Sequence, residues 1–172
     1  MNQNMTTEFV EVLIIGAGPS GAVASSYLHN QGMKVKVVEK TKFPRIVVGE
    51  SLIPRVMDHF DEAGLFEHLD KQGFEKKKGA RFIRGKEICV FDFSNKFGEG
   101  WDWTWQIPRA DFDFEITQEM RKKGVDLEFE TEVMTIPQFD PQNPKMISQG
   151  PSMCVFNKND PQEVLASWLF AQ

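Results

Sequence analysis

The sequence has few of the residues that build metal centres or disulfide frameworks. It contains two cysteines and three histidines in 172 residues, and neither set has the spacing of metal ligands. Cys89 and Cys154 lie far apart in the sequence and form no CxxC redox motif. The sequence therefore predicts no metal site, and it predicts the reducing cytoplasm as the compartment.

Basic charge and long apolar runs are also scarce. The 20 Lys and Arg residues are outnumbered by 25 Asp and Glu residues, which gives a net charge of −5, whereas a nucleic-acid-binding surface needs a basic footprint. No apolar run approaches the roughly 20 residues that cross a bilayer. Residues 1–10 lack the basic region and apolar core of a signal peptide. We therefore expect no nucleic-acid partner and no membrane span, and a small-molecule ligand remains compatible.

A strand, a helix and a second strand follow one another near the N-terminus. Residues 9–15 (FVEVLII) are β-branched and apolar, which is typical of a strand buried on both faces. Residues 22–32 have a helical pattern that ends near Gly32, and residues 33–40 (MKVKVVEK) are a second strand candidate. This order predicts a right-handed βαβ unit and an α/β fold.

The loop after the first predicted strand contains Gly16, Gly18 and Gly21 in GxGxxG spacing. In such a loop the first glycine permits a tight turn, the second lets the backbone approach a pyrophosphate, and the third lets the helix pack closely. Glu39, at the end of the second strand, suits a free ribose 2′-hydroxyl. The spacing therefore predicts a dinucleotide site, which FAD and NAD fit equally; a purely structural glycine turn is the alternative.

The rest of the chain mixes helical and alternating patterns. Residues 79–94 predict a hairpin that turns at Arg84-Gly85-Lys86, and residues 101–107 predict a third strand. Residues 110–124 predict a helix whose apolar stripe is Phe112, Ile116 and Met120. Strict alternation over 125–133 predicts one strand, with Val125, Leu127, Phe129 and Val133 on a single face.

Several of these segments together resemble one protein family. FPRIVVGESLIP, the hairpin and PRADFDFEITQEMRKKGVDLEFETEV are similar, over residues 11–134, to the FAD-dependent monooxygenase and flavin-dependent halogenase superfamily, including its geranylgeranyl-reductase-like branch. The resemblance implies a truncated Rossmann-like FAD-binding βαβ domain with an inserted antiparallel β-sheet. It also implies an oxidoreductase that uses FAD on a small organic substrate, with NAD(P)H or a flavin reductase as the electron source. An NAD-binding module and a chimeric fragment with no activity of its own are the alternatives.

The resemblance also implies which residues contact FAD. In the family the glycine-rich loop binds the pyrophosphate, the acid binds the adenosine ribose, and the arginine of an R..FD motif, here Arg109, approaches the cofactor. Ile116 stands where the family usually has leucine. The predicted cofactor-binding residues are Gly16, Gly18, Pro19, Ser20, Gly21, Glu39, Lys40, Arg45, Glu50, Ser51, Arg109 and Val133. For Glu50, a favourable charge at a helix N-terminus is an alternative role, and for Arg109 a surface ion pair.

One lysine is a candidate catalytic residue. The segment KKGARF resembles the KxGA.F segment of some halogenases, in which a lysine serves hypohalous-acid chemistry, and the matching residue is Lys77. The alternative is that the lysines at 76–78 form an ordinary solvated surface.

Tryptophans alternate in the segment GWDWTWQIPR, at positions 101, 103 and 105. Period two places them on one face of a strand with Ile107. That face belongs to the core or, as the resemblance implies, lines the substrate cavity. WTWQIP also matches the halogenase signature WxWxIP, although in halogenases that signature lies later in the chain than the arginine motif. A nucleic-acid stacking platform is excluded, because no basic residues separate the aromatic ones.

The C-terminal part has a different character. We divide the chain into an FAD-binding domain at 9–134 and an unrelated or divergent segment at 135–172. The second part resembles, over 136–172, a segment of extracellular solute-binding proteins of sugar-type ABC transporters. Asp160, Pro161 and Glu163 have the pattern of a helix start.

Two expectations follow for the chain as a whole. Residues 136–172 should make few contacts with the first domain. The second, Gly-Asp flavin motif of the family is absent from the sequence. We therefore expect weak FAD retention and no catalytic activity from this chain alone. A divergent terminal extension of a small flavoprotein is the alternative.

Overall fold

The computed structural model describes residues 6–133, 152–157 and 162–171, and the side chains of 10–133. The elements, in chain order, are β1 (Thr6–Ile15), α1 (Pro19–Asn30), β2 (Val35–Glu39), α2 (Arg55–Glu62), α3 (Phe66–Asp70), β3 (Glu75–Lys77), β4 (Gly79–Arg84), β5 (Glu87–Asp92), β6 (Thr104–Gln106), α4 (Arg109–Lys122), β7 (Asp126–Phe129), β8 (Thr131–Val133), β9 (Ser152–Asn157) and β10 (Gln162–Ala171).

The central sheet has the strand order β7-β2-β1-β10-β9-β8. β1 runs parallel to both β2 and β10, and β2 runs parallel to β7. Val12, Leu13 and Ile14 are fully buried on both faces of β1, as a parallel sheet covered on both sides requires. The predicted α/β fold with its βαβ unit is confirmed.

Two groups of buried side chains cover the faces of the sheet. The larger group joins β1 and β2 to all four helices, and α4 contributes the predicted stripe of Phe112, Ile116 and Met120. The smaller group contains Val10, Leu13 and Val38. The larger group packs residues of α1 and α4 together with those of β1 and β2.

The alternating segment 125–133 is not one strand, as the sequence predicts, but two. Glu130 has a φ of 57° and separates β7 from β8. Leu127 therefore packs in the larger core, whereas Val133 packs against the smaller one. A single left-handed residue redirects the chain, and alternation alone does not reveal it.

The predicted antiparallel insertion consists of two separate two-stranded sheets. β4 and β5 form the predicted hairpin, with Arg84 paired to Glu87 across the turn. β6 covers only Thr104–Gln106 and pairs with β3, not with the hairpin. Three charged residues, EKK, form β3, and they carry no apolar alternation from which the strand could be predicted.

The helix predicted from Asp160 is wrong, because the structure has a strand over Gln162–Ala171. This strand, β10, pairs with β1 from Thr6↔Gln162 to Ile15↔Ala171, so the expectation of few contacts with the first domain is also wrong. The capping pattern is local, whereas the open edge of β1 offers a full row of backbone partners. Asp160 and Pro161 themselves lie outside the described residues. The boundary at 134/135 and the transporter resemblance remain predictions.

None of the helices in the described part of the chain has both the length and the apolar character to cross a bilayer.

Candidate cofactor site

The glycine-rich loop crosses from β1 over the end of β2. Gly16 has a φ of 99°, a left-handed conformation that side chains rarely adopt. Its N–H donates to the Val38 carbonyl at 2.8 Å. The loop is therefore fixed to the second strand at the position where the sequence predicts the tight turn.

The first turn of α1 is open to an anionic ligand. Pro19 is the first helical residue, and no side chain caps the turn or adds a negative charge to it. Free N–H groups and the helix dipole favour a phosphate at such a terminus. Gly18 precedes the helix with φ −66° and ψ −177°, an extended conformation open to any residue. Glycine is therefore not needed here for the backbone, and its lack of a side chain leaves room for close approach.

Glu39 is a buried carboxylate at the end of β2. One oxygen, Oε2, accepts a hydrogen bond from the Ala17 N–H at 3.0 Å. The other, Oε1, accepts from the Thr41 N–H at 3.0 Å and from the Thr41 hydroxyl at 2.7 Å. The acid is thus held against the glycine loop before any ligand arrives. The sequence predicts Glu39 but not its partner Thr41.

A cavity of about 290 Å³ opens at the carboxyl ends of β1 and β2, where ligands bind in open α/β sheets. It is lined by Ile15, Gly16, Glu39, Lys40, Arg45, Thr131, Glu132 and Val133. Five of the predicted cofactor residues therefore line one cavity. Ile15, Thr131 and Glu132 were not predicted, and the two β8 residues reach this position because Glu130 breaks the strand.

Four charged side chains form a network beside this cavity. The Arg109 guanidinium donates from Nε and Nη2 to the two oxygens of Asp113, both at 2.9 Å. Nη2 of Arg45 lies 4.0 Å from Asp113 Oδ2, and Nη1 of Arg45 lies 3.5 Å from Glu39 Oε1. The sequence identifies Asp113 as part of the R..FD motif but not as the group between two arginines.

Arg45, which lines the cavity, is not fully satisfied in the ligand-free chain. Its Nε is buried and has no hydrogen-bond partner. Leaving a buried charged donor unpaired costs about 1–3 kcal/mol or more. With the uncapped helix and the fixed acid, the residues present fit the pyrophosphate and ribose of a dinucleotide.

Glu50 and Ser51 lie beside β6, and Arg109 begins the helix that follows this strand. Ile107 donates its N–H to the Glu50 carbonyl at 2.8 Å, and Leu52 donates to the Trp105 carbonyl at 3.3 Å. Residues 50–52 therefore run along the free edge of β6. The strand continues through Pro108 into α4, which begins at Arg109. One short strand thus positions both Arg109 and the GES segment, which consists of Gly49, Glu50 and Ser51.

Lys77 contacts the GES segment directly. Its Nζ donates to the Ser51 hydroxyl and, at 3.4 Å, to the Leu52 carbonyl. The same nitrogen lies 5.3 Å from the centre of the Phe93 ring. Lys77 is half-buried and held by specific partners, so a fully solvated lysine run does not describe this residue.

The tryptophans pack largely as core. Trp105 is 1% exposed, and its ring lies 5.5 Å from Phe66 and 6.0 Å from Phe60, centre to centre. Trp101 and Trp103 are half-buried against the same group, with their rings 5.2 Å apart and perpendicular. Of the interpretations left open by the sequence, a core strand fits Trp105 best.

A second cavity is larger and more apolar than the first. It has a volume of about 430 Å³ and lies between α2 and the hairpin, with Ile53, Phe91, Phe97 and Trp101 among its lining residues. None of the predicted cofactor residues lines it. The apolar cavity is the larger of the two, but the smaller one is lined by the charged residues Glu39, Lys40 and Arg45. A dinucleotide needs charged and polar partners, so the smaller cavity is the better candidate.

Other site chemistry is sparse in the described residues. No group of three or more His, Cys, Asp or Glu side chains among them could hold a metal ion. The Ser94 N–H and hydroxyl hold the pKa of Asp92 below its usual value. Asp92 lies at the exposed end of the hairpin, outside the 290 Å³ cavity.

Comparison with known proteins identifies the family. A family model described as an FAD binding domain matches residues 9–165. The tryptophan 2-halogenase of Chondromyces crocatus is 34% identical over 78% of this chain and 25% of its own length. The flavin-dependent halogenase ptaM of Pestalotiopsis fici is 39% identical over 59% of this chain and 19% of its own length. The chain thus spans about a quarter or less of these relatives.

Solved structures share the fold. A flavoprotein/dehydrogenase from Cytophaga hutchinsonii superposes with a TM-score of 0.84 at 45% identity, over 95% of this chain and 39% of that one. The flavin-dependent halogenase CmlS superposes with a TM-score of 0.74 at 32% identity, over 90% of this chain and 27% of that one. The predicted cofactor, FAD, is confirmed at the level of the family. The chain belongs to the family of FAD binding domains, and the curated relatives that it matches include flavin-dependent halogenases.

Proposed function

We propose that this chain is the FAD-binding part of a flavin-dependent oxidoreductase that halogenates a small organic substrate in the cytoplasm. The contact between Lys77 and the GES segment carries the proposal, together with curated relatives that are named halogenases. FAD supplies the redox chemistry when bound. NAD(P)H or a separate flavin reductase would supply the electrons.

The chain's own residues would bind and orient the cofactor. The N–H groups of Ser20 and Gly21, at the start of α1, would receive the pyrophosphate, with Gly18 leaving room for it. Glu39 would accept from the adenosine ribose hydroxyls. Arg45 and Arg109 would fix the anionic part from the other side, and Lys40 and Val133 would form the cavity wall.

Lys77 would be the catalytic residue in this proposal. Two of the three N–H groups of its ammonium are directed to Ser51 and to the Leu52 carbonyl, which leaves one free. That N–H would donate a hydrogen bond to hypohalous acid and orient it toward the substrate. Glu50 and Ser51 would stand between the lysine and the flavin.

A redox reaction without halide is the second candidate. It is favoured by the 45% identity to the flavoprotein/dehydrogenase from Cytophaga hutchinsonii. In that case Lys77 would only tie β3 to the GES segment.

The cofactor assignment is tested by titrating the purified chain separately with FAD and with NAD. We expect a saturable change in protein tryptophan fluorescence with FAD and no saturable change in the same signal with NAD at the same concentrations. The affinity for FAD should be weak, because the second flavin motif is absent from this chain. Saturation with NAD alone would establish the NAD-binding module instead. A folded chain that binds neither ligand would be a fragment without cofactor function.

The lysine assignment is tested in an intact relative that carries the KxGA motif. Replacing the lysine that matches Lys77 by alanine should lower the halide-dependent product about a hundredfold or more, a typical effect of losing a positioned proton donor. The matched control replaces the residue that corresponds to Lys76, just before the motif. Undiminished halogenated product from the first variant would remove Lys77 from the chemistry and favour the second candidate.

A further inference from the structure

Asp113 lies at the centre of a chain of alternating charges. Its side chain is completely buried in α4, and both of its oxygens accept from Arg109 at 2.9 Å. Arg109 has one further bond, from Nη1 to the Val48 carbonyl at 3.1 Å. Asp113 therefore determines the orientation of the guanidinium plane, because two parallel bonds fix a planar fork where one would leave it free to turn.

The same carboxylate also faces the second arginine. Arg45 lies between Asp113, at 4.0 Å, and Glu39, at 3.5 Å. Glu39, Arg45, Asp113 and Arg109 thus alternate in sign from the end of β2 to the start of α4. These residues come from three separate segments of the sequence, which the fold brings together.

Stability alone gives a poor account of this arrangement. Buried ion pairs often contribute little, because the desolvation of each charge offsets the attraction between them. The network also leaves Arg45 Nε buried without an acceptor, which is unfavourable in the ligand-free chain. Both features suit a site that is prepared for an anionic ligand, in which the cost is recovered on binding.

We infer that Asp113 is a positioning residue for the cofactor, which holds Arg45 and Arg109 in the orientation that receives the anionic part of FAD. The inference rests on the proposed function. Without the carboxylate, Arg109 loses two of its three hydrogen bonds, and two guanidinium groups share the cleft with one acid, Glu39, instead of two. FAD binding must then order both arginine side chains, and the conformational entropy lost in ordering them weakens the affinity.

The test compares the FAD affinity of the parent chain, Asp113→Asn and Thr117→Val. Asparagine keeps the shape of aspartate but directs an NH₂ group at the donors of Arg109. Thr117 is an equally buried residue of α4 whose hydroxyl bonds only to the Phe114 carbonyl, so its loss disturbs the helix without touching the network. Affinities are corrected for the folded fraction of each variant.

We expect Asp113→Asn to weaken FAD binding about tenfold or more, as for the loss of charge-assisted hydrogen bonds, and Thr117→Val to change it less than about threefold. If the Asp113→Asn variant does not fold, Asp113→Glu is used in its place. The longer side chain displaces the carboxylate from the Arg109 guanidinium, so this variant should also bind FAD more weakly than the parent. Equal affinity of the folded Asp113 variants and the parent would overturn the inference.

A second background separates positioning from general packing. In an Arg109→Gln chain, Asp113→Asn should weaken FAD binding by much less than in the parent, because its main partner is already gone. Penalties that add in full would mean that Asp113 acts through structure alone, and would overturn the inference. A folded parent that binds no FAD would instead refute the proposed function. The two failures are therefore distinguishable.

Discussion

At the scale of the residue, two glycines of one loop have different physical reasons to be glycine. Gly16 has a φ of 99°, which a side chain tolerates poorly, whereas Gly18 has an extended backbone. Gly18 is buried, so we expect Gly18→Val to cost about 1–3 kcal/mol through crowding. We also expect its folded fraction to bind no FAD, because the side chain blocks approach of the pyrophosphate. The matched variant Gly16→Val should lose about 1–3 kcal/mol of stability through backbone strain.

Urea unfolding and flavin titration of the two variants check this pair. Unchanged FAD affinity in Gly18→Val would remove the loop from the site. Equal stability of the Gly16→Val chain would show that its turn is not strained.

Single residues also show where sequence reasoning ends. The glycines and Glu39 were predictable, because their spacing encodes a local turn and the end of a neighbouring strand. Thr41 and the central role of Asp113 were not, because their partners come from segments that meet only in the folded chain. The unpaired Nε of Arg45 likewise depends on what the tertiary structure leaves uncovered.

At the scale of the element, the strand predicted over 101–107 is shortened to Thr104–Gln106, so Trp105 lies in β6 whereas Trp101 and Trp103 precede it. Trp105 is fully buried among aromatic rings, whereas Trp103 is half-buried beneath the Lys76 ammonium, 4.1 Å from its ring centre. Trp105→Ala should therefore lower the free energy of unfolding by about 3–5 kcal/mol. Trp103→Ala should lower it by about 1–2 kcal/mol, from partial burial and a cation–π contact.

Denaturant unfolding of both variants tests the core interpretation of the strand. Equal losses in the two variants, or a loss below about 1 kcal/mol for Trp105→Ala, would contradict it and favour a role in lining a cavity.

Helices and strands were predictable where the sequence pattern is local. The predictions failed where pairing with a distant strand or a single backbone conformation determines the structure. The βαβ unit, the hairpin and α4 follow from periodicity and turn residues. The strand over 125–133 was predicted as continuous, because alternation carries no sign of the left-handed Glu130. The helix predicted from Asp160 yields to β10, since the backbone of β1 provides a partner that no local propensity reflects.

At the scale of the whole molecule, the C-terminal segment is part of the sheet. β10 lies between β1 and β9, with Val10 opposite Ala166. A proline in a paired strand fixes φ and cannot donate to the ladder, so Ala166→Pro should cost about 2 kcal/mol. The control Ala166→Ser should cost about 1 kcal/mol or less.

Thermal unfolding of these two variants measures whether residues 162–171 belong to the cooperative unit. Identical midpoints for Ala166→Pro and the parent would mean that the segment contributes no pairing, and would restore the expectation of an independent tail.

The central claim is that FAD binds between the glycine loop, Glu39 and the two arginines. The most direct measurement is an ¹H–¹⁵N NMR titration of the labelled chain with FAD. We predict progressive shifts of the amides of residues 16–21 and of the Arg45 Nε–H signal, which has no acceptor in the ligand-free chain. Shifts confined to residues around the 430 Å³ cavity, such as Phe97 and Trp101, with the glycine loop unchanged, would contradict the account.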